Sequence, residues 1–234
     1  MIYKTLSYGK LYIVATPIGN LEDITFRAVR ILAKVDLILC EDTRKTKILL
    51  DHYKIKTPMI SYHQHSRLTR TKYIIDQLKL GKSLALVSDA GTPGISDPGG
   101  KLVCEVSKFE KIKIVPIPGP SALTAAASVS GLACDRFVFF GFLPQKKGRQ
   151  KIFEEIKNEK RTVIFYESPY RLLKTLTNLS EFAADLTERN VIVLRELTKK
   201  FEETVRGPIK TVLKEFQKRK IIRGEFVVLI EGRK

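Results

Sequence analysis

Three short segments set acids beside cations in the way that reactive sites do. Glu41-Asp42-Thr43-Arg44 follows an apolar run ending at Cys40, Glu167-Ser168-Pro169-Tyr170-Arg171 follows Phe165-Tyr166, and Arg195-Glu196-Leu197-Thr198-Lys199 closes another β-branched run. Each places residues able to accept a proton next to residues able to hold an anion, at the end of a strand pattern. Asp42 or Thr43 could equally cap the helix that follows. A charged residue inside the run Val191–Leu197 needs a partner or a polar cleft. His63 and His65 would share a face of one strand, but no third ligand has metal-binding spacing, so no metal is expected.

Three further loops share one design, an apolar strand followed by a Gly/Pro turn and a helix start: Thr16-Pro17-Ile18-Gly19-Asn20, SDAGTPGISDPGG from Ser88 to Gly100, and Pro118-Gly119-Pro120-Ser121-Ala122. Glycine lets a ligand approach the backbone, and the carboxyl ends of parallel strands line ligand crevices. None of the three carries GxGxxG or Gly-Lys-Ser/Thr, so phosphate fingerprints are absent. Asp89 would repel a pyrophosphate but could accept hydrogen bonds from an amine or ribose hydroxyls. Asp97, before Pro98, reads as a turn or cap, and Ser121 as the cap of an alanine-rich helix.

A third pattern joins aromatics to a basic loop. Gly141-Phe142-Leu143-Pro144-Gln145-Lys146-Lys147-Gly148-Arg149 suits RNA, with Lys146, Lys147 and Arg149 for phosphates and rings for unstacked bases. Phe137, Phe139 and Phe140 read as core. The formal net charge of +17 over 234 residues favours a polyanionic partner, although a lysine-rich genome would produce the same excess. Cys40, Cys104 and Cys134 form no CxxC pair, which fits free thiols in a reducing cytoplasm and neither a disulfide framework nor structural zinc. No apolar run approaches a membrane span, and the first residues lack the apolar segment of a signal peptide. A cytoplasmic protein is expected.

These segments must be positioned by α/β architecture. Strand patterns at Leu11–Ala15, Val35–Cys40, Met59–His63, Leu84–Val87 and Ile112–Ile117 alternate with helical ones from Asn20 to about Lys34, Thr43 to Tyr53, Ser66 to Leu80 and Lys101 to Lys108. Gly81 stands at a C′ position. Such alternation predicts a mostly parallel sheet. Further strands are predicted at Arg136–Leu143, Thr162–Glu167, Val191–Leu197 and Glu225–Glu231, with helices at about 148–159, 169–183 and 208–219. The bend Pro116-Ile117-Pro118-Gly119-Pro120 predicts two α/β domains, 1–117 and 118–234.

The ordered set LYIVATPIGNLEDIT, CEDTR, SDAGTPGISDPG, PIPGPSA, GFLPQKKGR, FYESPYR, RELTKKFEE and GEFVVLIEG resembles the tetrapyrrole (precorrin, sirohaem) methylase superfamily, and within it the branch that methylates 16S ribosomal RNA. The likeness runs from Leu11 to Gly232. It implies two α/β domains with S-adenosylmethionine in the cleft between them, commonly a homodimer, and 2′-O-methylation of a cytidine ribose in 16S ribosomal RNA of the small subunit. By motif it implies that Pro17, Val87, Ser88, Asp89, Thr92, Ser121 and Ala122 contact the methyl donor. Tyr166 and Glu167 fall near a further superfamily contact that is usually a methionine.

On that resemblance, Glu41, Glu167 and Glu196 become candidates to orient or deprotonate a ribose hydroxyl. Arg44, Arg171 and Lys199 become candidates to hold the neighbouring phosphate or hydroxyl. Two other functions fit the composition: methylation of a tetrapyrrole, and non-catalytic binding of RNA or the ribosome. The EDTR and RELTK segments argue against the first. Three strand-end loops without a role argue against the second.

Overall fold

The structure is a computed structural model that describes residues 8–63, 68–97, 99–182, 186 and 188–233. The chain divides into two compact units, Met1–Ser121 and Ala122–Lys234, at the far end of the Pro-Gly-Pro bend.

The first unit is built on a five-stranded parallel sheet of β1 (Lys10–Val14), β2 (Leu37–Cys40), β3 (Met59–Ser61), β4 (Leu84–Leu86) and β5 (Lys113–Ile117), in the order β3-β2-β4-β1-β5. Its central strands are continuous apolar runs because both faces are covered. Leu39, Leu84 and Leu86 pack with α3 (Leu68–Lys79) and α4 (Gly99–Ser107) on one face. Ile38, Cys40, Ala85 and Val87 pack with α1 (Phe26–Leu32) and α2 (Thr43–His52) on the other. α3 ends in a Schellman motif. The Gly81 N–H donates to Leu78 O at 3.1 Å and the Lys82 N–H to Gln77 O at 3.2 Å, with Gly81 at φ +86°.

The single helix expected from Asn20 to Lys34 is two elements. Asn20 caps a 3-10 turn, Leu21–Asp23, and the chain then extends through Ile24 and Thr25. Thr25 starts α1 afresh by accepting from the Ala28 N–H at 3.1 Å. The expected strand at Met59–His63 ends at Ser61. His65, which with His63 is not expected to hold a metal, and Ser66, the expected helix start, lie outside the described residues.

The second unit is a mixed five-stranded sheet of β6 (Phe137–Phe142), β7 (Thr162–Glu167), β8 (Asn190–Arg195), β9 (Glu203–Pro208) and β10 (Phe226–Ile230), ordered β6-β7-β10-β8-β9. β6 and β7 are parallel, while β10 lies antiparallel between β7 and β8. α5 (Ala122–Ser130) covers one face, against Ile164, Ile192, Leu194, Val227 and Leu229. α6 (Arg149–Asn158), α7 (Leu172–Phe182) and α8 (Ile209–Gln217) pack on Val163, Phe165, Val193, Val228 and Ile230 of the other. Phe139 and Phe140 pack against these cores as expected, whereas Phe137 is exposed. β9 has no counterpart among the expected strands. Its residues ETVRGP bring one apolar side chain, Val205, to the core, and it is held by pairing with β8 and by the Glu203 carboxylate, which accepts from Arg219 at 2.8 and 2.6 Å.

Candidate active site

Because β1, β2, β4 and β5 run parallel, the loops after them emerge at one edge of the first sheet. Direct hydrogen bonds tie four of these loops together. The Thr16 N–H donates to Gly91 O at 2.9 Å, and the Gly91 N–H donates back to Thr16 O at 3.0 Å. Thr16 Oγ1 donates to Ser88 O at 3.2 Å, so the first loop is clamped to the loop after β4. Thr92 Oγ1 donates to Pro120 O at 3.1 Å and joins the loop after β5. The Asp42 N–H donates to Asp89 Oδ1 at 3.1 Å and joins the loop after β2. Gly91 can serve as the bridge because its φ of +82° lies where side chains are strained.

Beside this junction a cleft of about 120 Å³ is lined by Thr16, Pro17, Lys45, Ser88 and Asp89, with Leu21 and Leu49 supplying apolar wall. Asp89 accepts from Lys45 Nζ at 2.7 Å as well as from Asp42. Of the residues that motif likeness assigned to a donor site, Pro17, Ser88 and Asp89 line this cleft. Val87 is buried in the core behind it, and the Thr92 hydroxyl is taken by Pro120 O. Ser121 ends the first unit and Ala122 opens α5. Tyr166 belongs to β7, where Phe139 and Phe142 meet its ring edge-on at 5.0 and 5.5 Å.

Glu41 does not line the cleft but stands close enough to Asp89, Asp97 and Lys45 to feel their charges. Burial, then repulsion from Asp89 and Asp97, pushes its carboxyl up to about 7, with Lys45 acting the other way. Asp42 behaves oppositely. It caps α2 through the Arg44 N–H at 2.9 Å and accepts from the Arg44 guanidinium at 3.0 and 2.6 Å, which holds it down at about 2. Arg44 itself is exposed. Asp97 has the turn role expected for it: Oδ1 accepts from the N–H groups of Gly94 at 2.6 Å and Gly99 at 2.9 Å, which caps the start of α4.

In the second unit the candidate residues form two separate clusters. Glu167 is buried at the end of β7 with both carboxylate oxygens hydrogen-bonded. It accepts from the Ser168 N–H at 2.9 Å, Arg171 Nε at 2.6 Å and Thr175 Oγ1 at 2.7 Å, and Arg171 Nη2 lies 2.5 Å from Oε1. The buried carboxylate thus ties the turn after β7 to α7. Arg149, expected to meet phosphate, is instead buried behind the basic loop. It donates to Pro144 O and to Thr175 Oγ1, both at 2.9 Å. Lys146 and Lys147 remain exposed.

The second cluster surrounds Glu196. Its Oε1 accepts from Lys199 Nζ at 3.1 Å and the Glu225 N–H at 2.9 Å, while Lys199 also reaches Glu225 Oε2 at 2.7 Å. Burial raises the Glu196 carboxyl, but these donors outweigh it and hold the group below the ordinary range. Burial lowers Lys199, and the two carboxylates outweigh that as well. Glu196 and Thr198 both have left-handed backbone, at φ +52° and +66°. Gly224 makes room for the Glu196 side chain, since a Cβ there would stand 2.6 Å from Glu196 Cγ.

Two partners escaped the sequence pattern. Lys45 is one helical turn beyond Asp42, a spacing that could have marked it as facing the same loops. Thr175 carries no such signal, because its role depends on α7 packing over β7. Among the described residues no three His, Cys, Asp or Glu side chains cluster as a metal site, and no helix is long and apolar enough to cross a membrane. The cysteines are free, with Cys40 buried, Cys104 exposed and Cys134 between.

The tetrapyrrole (corrin/porphyrin) methylase family profile matches residues 10–213. The ribosomal RNA small subunit methyltransferase I of Synechocystis sp. is 52% identical over 96% of this chain and 79% of its own length. That of Thermotoga maritima is 48% identical over 96% of this chain and 99% of its own. Among solved structures, cobalt precorrin-4 methyltransferase aligns with a TM-score of 0.69 at 18% identity, covering 99% of this chain and 98% of that one. Diphthine synthase aligns with a TM-score of 0.74 at 13% identity, covering 95% and 90%. At those identities the two structures speak for the fold alone.

Proposed function

The chain belongs to the tetrapyrrole (corrin/porphyrin) methylase family, and from that premise we propose that it is the methyltransferase that carries a methyl group from S-adenosylmethionine to the 2′-oxygen of a cytidine ribose in 16S ribosomal RNA of the small subunit. The observation that carries this reading is the near-half identity to ribosomal RNA small subunit methyltransferase I over almost the whole chain.

The strand-end loops fit such a donor better than they fit a phosphate. Amides that could cradle an anion are already used: Thr16 and Gly91 bond each other, and Asp97 caps Gly94 and Gly99 at the start of α4. What lines the cleft is Asp89 paired with Lys45, the small residues Ser88 and Pro17, and an apolar wall. Asp89 would accept from donor hydroxyls or its ammonium, with Pro17 and Ser88 shaping the wall. When bound, the donor supplies a methyl group on a positively charged sulfur, already activated for in-line attack. The chain's own work is alignment and control of one proton. A general base acts best with a pKa near the working pH, and Glu41 is pushed up to about 7. Glu41 takes the proton of the 2′-hydroxyl, and exposed Arg44 meets the adjacent phosphate. Glu167 serves instead as the structural anchor of the Ser168–Arg171 turn. Glu196 and Lys199 hold the turn that leads into β9.

The basic exterior then steers RNA, and the protein works beside ribosomes in the cytoplasm, as a homodimer. The test is methyl transfer from labelled donor to isolated 30S subunits, naked 16S RNA and a precorrin in parallel. Label in 30S subunits or 16S RNA is expected. Label confined to the precorrin, or transferred to none of the three, would overturn the reading.

A further inference from the structure

The loops after β6 and β7 take no part in the proposed methyl transfer. β6 and β7 are parallel, so the loops after them leave the same edge of the second sheet. On that edge stand two large exposed rings: Phe142 at the end of β6 is 56% exposed, and Tyr170 in the turn after β7 is 94% exposed. Among the described residues Tyr170 has no hydrogen-bond or ring partner. The exposed cations Lys146 and Lys147 follow Phe142 in the loop from β6, and the segment from Gly141 to Arg149 contains no acid.

Both loops are anchored to one buried network. Glu167 fixes the Tyr170 turn by accepting from the Ser168 N–H and the Arg171 side chain, and the N–H groups of Arg171 and Leu172 close on Ser168 O at 3.1 Å each. The same carboxylate accepts from Thr175, which accepts from Arg149, which holds Pro144 O of the lysine loop. A buried carboxylate with two arginines is costly to desolvate. Here it holds a tyrosine and a lysine loop in a fixed relation at one sheet edge while the ring itself stays in solvent.

We infer that this edge is a platform for single-stranded RNA, on which Tyr170 stacks an unpaired base while Lys146 and Lys147 hold flanking phosphates. Exposed rings and cations on loops of one sheet edge, with no acids in the lysine loop, match the two surfaces that an unstacked strand presents. The inference rests on the RNA substrate proposed above and adds the residue that grips it.

The test measures binding of a short fluorescent single-stranded RNA, and KM for 30S subunits, with wild type, Tyr170→Ala, Tyr170→Trp and Lys147→Ala. Melting temperature confirms the fold of each variant. Tyr170→Ala should weaken RNA binding roughly tenfold or more and raise KM, and Tyr170→Trp should restore both. The salt dependence of binding should keep its slope in Tyr170→Ala but flatten by about one counterion in Lys147→Ala. Wild-type RNA affinity and KM in Tyr170→Ala would overturn the platform while leaving the proposed reaction intact. A change only in sedimentation of Tyr170→Ala would overturn it in favour of a protein contact. Wild-type protein that neither binds nor methylates RNA would overturn both.

Discussion

Lys45 reaches from the first turn of α2 to Asp89 in the loop after β4, with Nζ 2.7 Å from Oδ2. The pair ties a cation to the acid at the mouth of the cleft, and the same cation lowers the pKa of Glu41. Lys45→Met should therefore push the Glu41 pKa further up. The rising limb of the activity–pH profile moves to higher pH, read from kcat/KM at several pH values. An unmoved limb would separate Lys45 from the base.

Asp89 is the acid that lines the cleft. Asp89→Ala removes its charge and its bond from the Asp42 N–H together, and should lower S-adenosylmethionine affinity roughly tenfold or more by calorimetry. Asp89→Asn keeps an acceptor for Asp42 and should lose less. Equal affinity in wild type and Asp89→Ala would remove the residue from the donor site.

Glu41 gives an opposite sign in activity and stability. As a base it works when ionised, so turnover rises with pH through about 7. An unfolded glutamate ionises near ~4.3. Between that value and about 7 the folded state binds more protons than the unfolded chain, and stability falls as pH rises through this window. Glu41→Gln should cut turnover about 100-fold or more. After discounting for its partial exposure, the variant should also be about 1 kcal/mol more stable than wild type above that window. Near-normal turnover of Glu41→Gln would take the base role from this residue.

Glu167 separates structure from catalysis. Glu167→Gln leaves buried Arg149 and partly buried Arg171 without their shared anion, and should cost roughly 3 kcal/mol in urea unfolding. A variant with unchanged unfolding midpoint but abolished turnover would return Glu167 to the list of bases.

Much of the frame was legible because its signals are local. The buried parallel strands β2 and β4 are apolar runs, Gly81 ends α3 by its own geometry, and Asp97 sits in a turn that its side chain makes. The Asn20–Lys34 segment misled because its helical pattern continues through Thr25, which begins a new helix instead of extending the old one. β9 was silent because Val205 alone packs on the core, and the rest of its support comes from Arg219 and β8. The carboxylates were harder still. Glu41, Glu167 and Glu196 look alike in sequence, each at the end of a strand pattern. They differ through partners far along the chain: Asp89 for the first, Thr175 and Arg149 for the second, Glu225 for the third. Spacing does not encode those meetings.

The identity of the methylated nucleoside tests the central proposal most directly. 30S subunits treated with the protein and labelled S-adenosylmethionine should yield, after nuclease digestion and chromatography, label in 2′-O-methylcytidine. Label in a base-methylated nucleoside, or in a different 2′-O-methylated nucleoside, would contradict it.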